Sequence, residues 1–243
     1  MADTRYLESI IHWFINVIIY PFYRIIFFFN KNCWRLSIAK ANKLGFIQIS
    51  NATEENRYPE IFDYVRQLEA GSAKSILSFG CSYGPECRTL RLYFPNALIV
   101  GYDLFEKNIG IAIKQNNDNR IIFTSEWDEV KKREYEAVFA MSVLCRTPHT
   151  LRKKDISNIY PFIKFEEQIT EIDSVICKGG LFVLYNSNFI FTHTDVSKKY
   201  NPVVIPDFND SGVIPKFDKN NKVLKCQEYP YSIFRKNGDS HLF

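Results

Sequence analysis

Residues 75–103 read Ser-Ile-Leu-Ser-Phe-Gly-Cys-Ser-Tyr-Gly-Pro-Glu-Cys-Arg-Thr-Leu-Arg-Leu-Tyr-Phe-Pro-Asn-Ala-Leu-Ile-Val-Gly-Tyr-Asp, and this stretch decides the architecture. Residues 75–79 are a short apolar run that stops at Gly80, the length and composition of a strand buried on both faces. Pro85 suits a first helical turn, because the N–H it lacks would have no partner there. Leu90, Leu92, Tyr93 and Phe94 supply the apolar positions of that helix, and Pro95-Asn96 closes it. A second buried strand over 97–102 follows, with Asp103 at its carboxyl end.

Three chemistries use a strand, glycine turn, helix, strand and acid in that order. A dinucleotide site wants G-x-G-x-x-G, whose second glycine lets backbone approach a pyrophosphate, but Ser82 stands at that position. Gly80-Cys-Ser-Tyr-Gly84 also matches the G-x-S-x-G elbow, which would make Ser82 the nucleophile of a serine hydrolase. An elbow follows several earlier strands and a glycine-rich oxyanion segment, and nothing before Ser75 offers either.

The third chemistry rests on a resemblance. From Ser75 onward the chain resembles the class I S-adenosylmethionine (SAM) methyltransferases, and the Gly-Cys-Ser-x-Gly-x-Glu form of the loop is most similar to that of the chemotaxis-receptor methyltransferases. The resemblance implies a Rossmann-like α/β fold: a mostly parallel seven-stranded sheet with helices on both faces. It implies SAM as cofactor, with Gly80, Cys81, Ser82 and Gly84 passing close to its methionine part and Glu86 holding its amino group. Asp103 would take the two ribose hydroxyls, one for each carboxylate oxygen. Leu104 would offer an apolar face to the adenine, Glu126 or Trp127 would lie near its exocyclic amine, and Met141 would border the pocket. The chain departs from the chemotaxis enzymes elsewhere, so their substrate does not carry over.

With 243 residues the chain can build one sizeable core. The expected organisation is an apolar and basic helical arm over residues 1–50 and a catalytic domain over 51–243. A hydrophobic fraction of 46% excludes a disordered chain. A well-mixed net charge of +4 gives no concentrated basic face, so no nucleic-acid partner is expected. The 6 cysteines show no C-x-x-C spacing, which predicts reduced, buried thiols in a cytoplasmic setting.

The run that begins at Ile10 and ends at Phe29 has about the 20 residues a bilayer span needs. His12, Asn16, Pro21 and Arg24 interrupt it, and a central Arg costs about 2.5 to 3.5 kcal/mol on insertion. Membrane contact with a cytoplasmic catalytic domain is the expected arrangement, because Lys31, Arg35, Lys40 and Lys43 follow the run. A helical arm packed on the domain is the alternative. No cleaved leader is expected, since the start is weakly charged and lacks a small-residue cleavage site.

Further along, helices are expected over 59–70 and 104–116, strands over 120–124 and 137–143, and a helical pattern over 156–177 broken at Pro161. Gly179-Gly180 and a strand over 181–185 come next. Residues 186–229 read as loops that set specificity, with a hairpin over 217–223 and a last strand over 231–236. Open α/β sheets bind ligands at strand carboxyl ends. Met141, Ser142 and the loop Cys145-Arg146-Thr147-Pro148-His149 are therefore candidates for the reacting region. His149 and His193 are the candidate general bases, since imidazole titrates near neutrality. The four histidines lack metal-ligand spacing, so no metal is expected. These readings converge on O-methylation of a small-molecule, glycan or lipid-linked acceptor. A serine hydrolase using Ser82 and a noncatalytic SAM-binding or membrane-tethered protein are the alternatives.

Overall fold

The computed structural model describes residues 53–69, 71–206 and 212–238. The expected N-terminal arm, its membrane run and the boundary near residue 50 lie outside the described residues. Among the described residues, no helix is long and apolar enough to cross a membrane.

Helix α1 spans Pro59–Leu68, β1 Ser75–Phe79, α2 Pro85–Tyr93, β2 Leu98–Tyr102, α3 Glu106–Gln115, β3 Ile121–Thr124, the short α4 Trp127–Val130 and β4 Tyr135–Met141. Helix α5, Phe162–Asp173, leads into β5, Ile176–Tyr185; two 3-10 turns precede β6, Tyr200–Val203, and β7 is Ile233–Lys236. The strands form one sheet in the order β3-β2-β1-β4-β5-β7-β6. The first five run parallel, and β7 is antiparallel to both β5 and β6. This is the seven-stranded, mostly parallel Rossmann-like sheet that the sequence predicts.

Two cores explain why the strands are so apolar. Successive residues of a strand point to opposite faces, so Ile76 and Leu77 separate into different layers. Ile76, Ile99 and Val183 pack under Ile61, Phe62 and Val65 of α1, Cys87 and Leu90 of α2, and Ile109 and Ala112 of α3. Leu77, Val100 and Phe182 pack under Val130 of α4 and Phe165, Ile169 and Ile172 of α5. Pro59 and Pro85 both stand in the first helical turn, and Gly84 caps α2 in the left-handed region at φ 92°.

Several details differ from the sequence reading: α1 ends at Leu68 rather than 70, and β4 spans Tyr135–Met141 rather than 137–143. Leu92 is 80% exposed; the buried face of α2 runs through Cys87 and Leu90 toward Phe94, the three-to-four-residue spacing of one helix face. Helix α5 ends at Asp173 rather than 177, because Ile176 already pairs with Tyr135 in the sheet. The pairing between β4 and β5 shifts between Tyr135 and Ala137, so Gly179 (φ 76°) and Gly180 lie inside β5 at an irregularity of the ladder. Cys81, Cys87 and Cys145 are buried free thiols as expected, whereas Cys226 is exposed.

Strand β6 was hidden by Asn201-Pro202. Proline is tolerated there because β6 is the edge of the sheet. That edge is locked to α5 through Asp173, which accepts hydrogen bonds from Lys199 Nζ (2.7 Å) and Tyr200 Oη (2.8 Å) and pairs with Lys236 Nζ (2.9 Å). Burial alone would raise the Asp173 pKa, but these donors outweigh it and hold the carboxyl below its ordinary value. A depressed carboxyl contributes stability above the usual carboxylate range, and loses it as pH falls through the folded value. Asp173→Asn should therefore cost about 1 to 3 kcal/mol near neutrality. Thermal unfolding over a pH series should show variant and wild type converging in acid.

Candidate active site

The strand order reverses between β1 and β4, so a crevice lies outside their carboxyl ends, where open α/β sheets bind ligands. The turn after β1 is anchored by Gly80 and Cys81, whose N–H groups both donate to the Tyr102 carbonyl at 2.8 and 3.0 Å. That ties the end of β1 to the end of β2 and sets Ser82 beside Asp103. The Ser82 N–H donates to Asp103 Oδ2 at 2.8 Å, and the Phe105 N–H donates to Oδ1 at 2.9 Å, starting α3 as an Asx turn. Burial raises the Asp103 pKa, opposed by the donors from Phe105, Ser82 and Asn108. These three donors take three of the carboxylate's roughly four lone-pair sites, so one hydroxyl of a vicinal diol fits without displacing the turn and the second takes the place of the Asn108 donor.

Gly80 and Gly84 adopt φ values of 83° and 92°. A Cβ on Gly80 would lie 2.3 Å from Val143 Cγ2, and one on Gly84 would lie 2.7 Å from the Phe123 ring. The glycines thus let the turn close on its neighbours. Between them Ser82 stands at φ 52° with its hydroxyl buried and without a hydrogen-bond partner. A buried hydroxyl left unpaired is rare in a folded protein, and here it suits a polar group of a bound ligand. As a hydrolase nucleophile it would need a base, and none of the described residues supplies one to Ser82 Oγ.

Glu86, in the first turn of α2, accepts a hydrogen bond from Ser78 Oγ at 2.8 Å. Burial pushes its carboxyl up to about 7, against the Ser78 bond and the charge of Arg57. Burial likewise raises the Cys81 thiol, which stays neutral. Leu104 is 39% exposed beside Asp103, and Met141, the last residue of β4, is buried. Glu126 is exposed, its N–H bonded to Thr124 Oγ1 at 3.0 Å. Trp127 is half-buried: its ring lies edge-on to Phe79 and Tyr102 at 5.7 and 5.1 Å, and its indole N–H donates to Glu171 Oε2 at 2.8 Å. That indole N–H is therefore committed to joining α4 to α5.

The loops after β4 and β5 are knitted by buried polar groups. The Arg146 N–H donates to Asn188 Oδ1 at 2.7 Å, Asn188 Nδ2 donates to the Pro215 carbonyl at 2.9 Å, and buried Lys216 donates from Nζ to the Ser187 carbonyl at 2.7 Å. Burial pushes Lys216 down to about 8 and Arg146 down to about 10. His149 is lowered by burial and by the charges of Arg146 and Lys153; His193 is lowered by burial and Lys219, against Asp218. Both imidazoles are therefore neutral, proton-accepting groups near pH 7, but in separate neighbourhoods. Among the described residues no three His, Cys, Asp or Glu side chains gather as metal ligands.

The sequence reading missed Tyr58 and Asn186. The Tyr58 and Ser142 hydroxyls lie 2.6 Å apart, and Asn186 Nδ2 donates to Ser142 Oγ at 3.0 Å. Ser142 and Asn186 both sit in the left-handed region, at φ 57° and 55°, where strands β4 and β5 end. Unusual backbone gathered at strand ends marks functional positions. Tyr58 gave no sequence signal, because its contact spans 84 residues.

Residues 53–164, a little under half of the chain, match a family model described as a methyltransferase domain. Over those residues the chain is similar to methyltransferase domains, a family whose methyl donor is SAM. No curated protein matches. Among solved structures, the plantazolicin methyltransferase BpumL in complex with S-adenosylhomocysteine (SAH) and a triazolic analogue is 19% identical, with 52% of this chain and 45% of that one covered at a TM-score of 0.38. The StiE O-MT segment is 16% identical, with 60% and 52% covered at 0.43. A presumed rRNA-methylase from Clostridium thermocellum is 14% identical, with 77% and 99% covered at 0.44. The chain spans less than half the length of the BpumL structure. The particular likeness to chemotaxis-receptor methyltransferases finds no counterpart in these matches.

Proposed function

We propose that this protein transfers a methyl group from SAM to an oxygen of a small-molecule, glycan or lipid-linked acceptor. The observation that carries the reading is the placing of Asp103 beside the Gly80–Gly84 turn, with the Ser82 N–H bonded to its carboxylate at 2.8 Å. The residues fit the cofactor: Asp103 for the ribose hydroxyls, Glu86 for the amino group, Ser82 and the turn for the methionine part, and Leu104 for the adenine face. When bound, SAM supplies an electrophilic methyl on a sulfonium. The protein's task is alignment and exclusion of water. A base is required only where the acceptor must lose a proton, and neutral His149 and His193 are the candidates for that step. The apolar run over residues 10–29 and the basic residues after it support an acceptor met at a membrane surface.

Calorimetry with SAM tests the reading first: no heat of binding at millimolar cofactor overturns it. Transfer of an isotopically labelled methyl, recovered as an ether or ester rather than on nitrogen, tests the acceptor atom. The Glu86 assignment carries its own expectation. A carboxyl raised to about 7 must ionise before it pairs with a cationic amino group. SAH affinity should therefore fall about tenfold as pH drops from about 7.5 to about 6, approaching one decade per unit. Glu86→Gln should be weaker throughout and should flatten that pH profile; an unchanged profile would remove Glu86 from the site.

A further inference from the structure

The candidate cofactor groups are covered: Ser82 is 7% and Asp103 9% exposed. A cavity of about 650 Å³ lies instead between residues 55–56, α1 and α2, lined by Glu55, Asn56, Arg66, Arg88, Thr89 and Tyr93, and it takes in neither Ser82 nor Asp103. Residues 53–58 form a strap tied to Tyr83 of the glycine turn, to α2 and to the end of β4. On the α2 side, Tyr83 Oη donates to the Thr53 carbonyl at 3.2 Å, Arg88 Nε to Glu55 at 2.7 Å, the Asn56 N–H to Thr89 Oγ1 at 2.8 Å and Tyr93 Oη to Asn56 Oδ1 at 2.9 Å. At its far end Tyr58 meets Ser142, next in sequence to the Val143 that closes on Gly80. The strap therefore links the glycine turn and α2 to the ends of β4 and β5, and the charge of Arg57 reaches Glu86.

We propose that Tyr58, Ser142 and Asn186 form a latch that holds the strap closed over the crevice, and that SAM and SAH exchange only when the Tyr58–Ser142 hydrogen bond opens. The proposal rests on the methyltransferase reading for the identity of what exchanges. Asn186 secures the latch from behind: its Nδ2 donates to Ser142 Oγ, and its Oδ1 accepts the Val213 N–H at 3.0 Å. The Tyr58 ring is edge-on to Tyr185 at 5.1 Å, so its packing is independent of its hydroxyl. A latch present in both the free and the bound closed state slows entry and exit alike, and leaves the equilibrium between them unmoved.

Tyr58→Phe keeps the ring and removes the bond; Ser142→Gly removes the other partner and suits the positive φ. Each should speed both association and dissociation of SAH about three- to tenfold in stopped-flow mixing, with Kd moving less than about threefold. The double variant should be no faster than Ser142→Gly alone, because that change already removes the Tyr58 bond along with the one from Asn186. In the ligand-free protein, hydrogen exchange at the Asn56 amide should accelerate by a similar factor in each variant. Unchanged exchange and unchanged SAH rates overturn the latch, and so does faster exchange with SAH rates unmoved. A wild-type protein that binds no SAH overturns the cofactor reading and the exchange gate with it, whereas faster Asn56 exchange in that case would still establish the strap contact.

Discussion

Asp103→Ala is expected to weaken SAM binding about tenfold to more than a hundredfold. The carboxylate would form charge-assisted hydrogen bonds to two ribose hydroxyls, and loss of such bonds costs roughly 1.5 to 3 kcal/mol. The same substitution releases the N–H groups of Ser82 and Phe105, so the turn and the start of α3 lose their shared acceptor. Asp103→Asn separates the two effects. It keeps one oxygen for a backbone donor but places an amide where the other donor points, so its binding loss should fall between those of wild type and alanine. Calorimetry read beside thermal unfolding distinguishes them: a loss below about threefold in Asp103→Ala, with folding intact, would take Asp103 out of the cofactor site.

Why Asp103 could be found without coordinates, and Tyr58 could not, follows from the range of the forces involved. The unit from β1 to Asp103 is written locally: apolar runs of strand length, Pro85 at a first helical turn, glycines where the backbone turns back. Each of those signals acts within a few residues. The acid then falls beside the turn because parallel pairing of β1 with β2 puts Phe79 opposite Tyr102. Tyr58 has no such local mark. Its role depends on Ser142 and Asn186 arriving from two other strand ends, and on α2 holding residues 53–56 in place. The start of β5 is hidden in the sequence for a related reason. Ile176 and Cys177 continue an apolar pattern compatible with α5, and only pairing with Tyr135 makes them strand. Trp127 shows the converse: an aromatic after β3 is legible in the sequence, but its indole N–H partner is Glu171, 44 residues on.

Gly80→Ala is expected to be among the most damaging single-methyl changes in the domain. At φ 83° an L side chain costs about 1 to 2 kcal/mol in backbone strain. The added Cβ would also sit 2.3 Å from Val143 Cγ2 and 2.7 Å from Val143 Cβ, overpacking worth about 1 to 3 kcal/mol more. The sum, about 2 to 5 kcal/mol, corresponds to a fall of roughly 5 to 15 °C in Tm for a domain of this size. The two contributions come apart in a double variant. Val143→Ala removes the Cγ2 contact but leaves the Cβ one, so Gly80→Ala/Val143→Ala should recover about 1 kcal/mol relative to the additive expectation, while the backbone strain persists. Since Val143 follows Ser142 and Gly80 opens the turn that holds Ser82, the unrelieved variant should also lose SAM affinity. A Gly80→Ala protein that melts within about 2 °C of wild type would show that the turn after β1 does not close on Val143 as described.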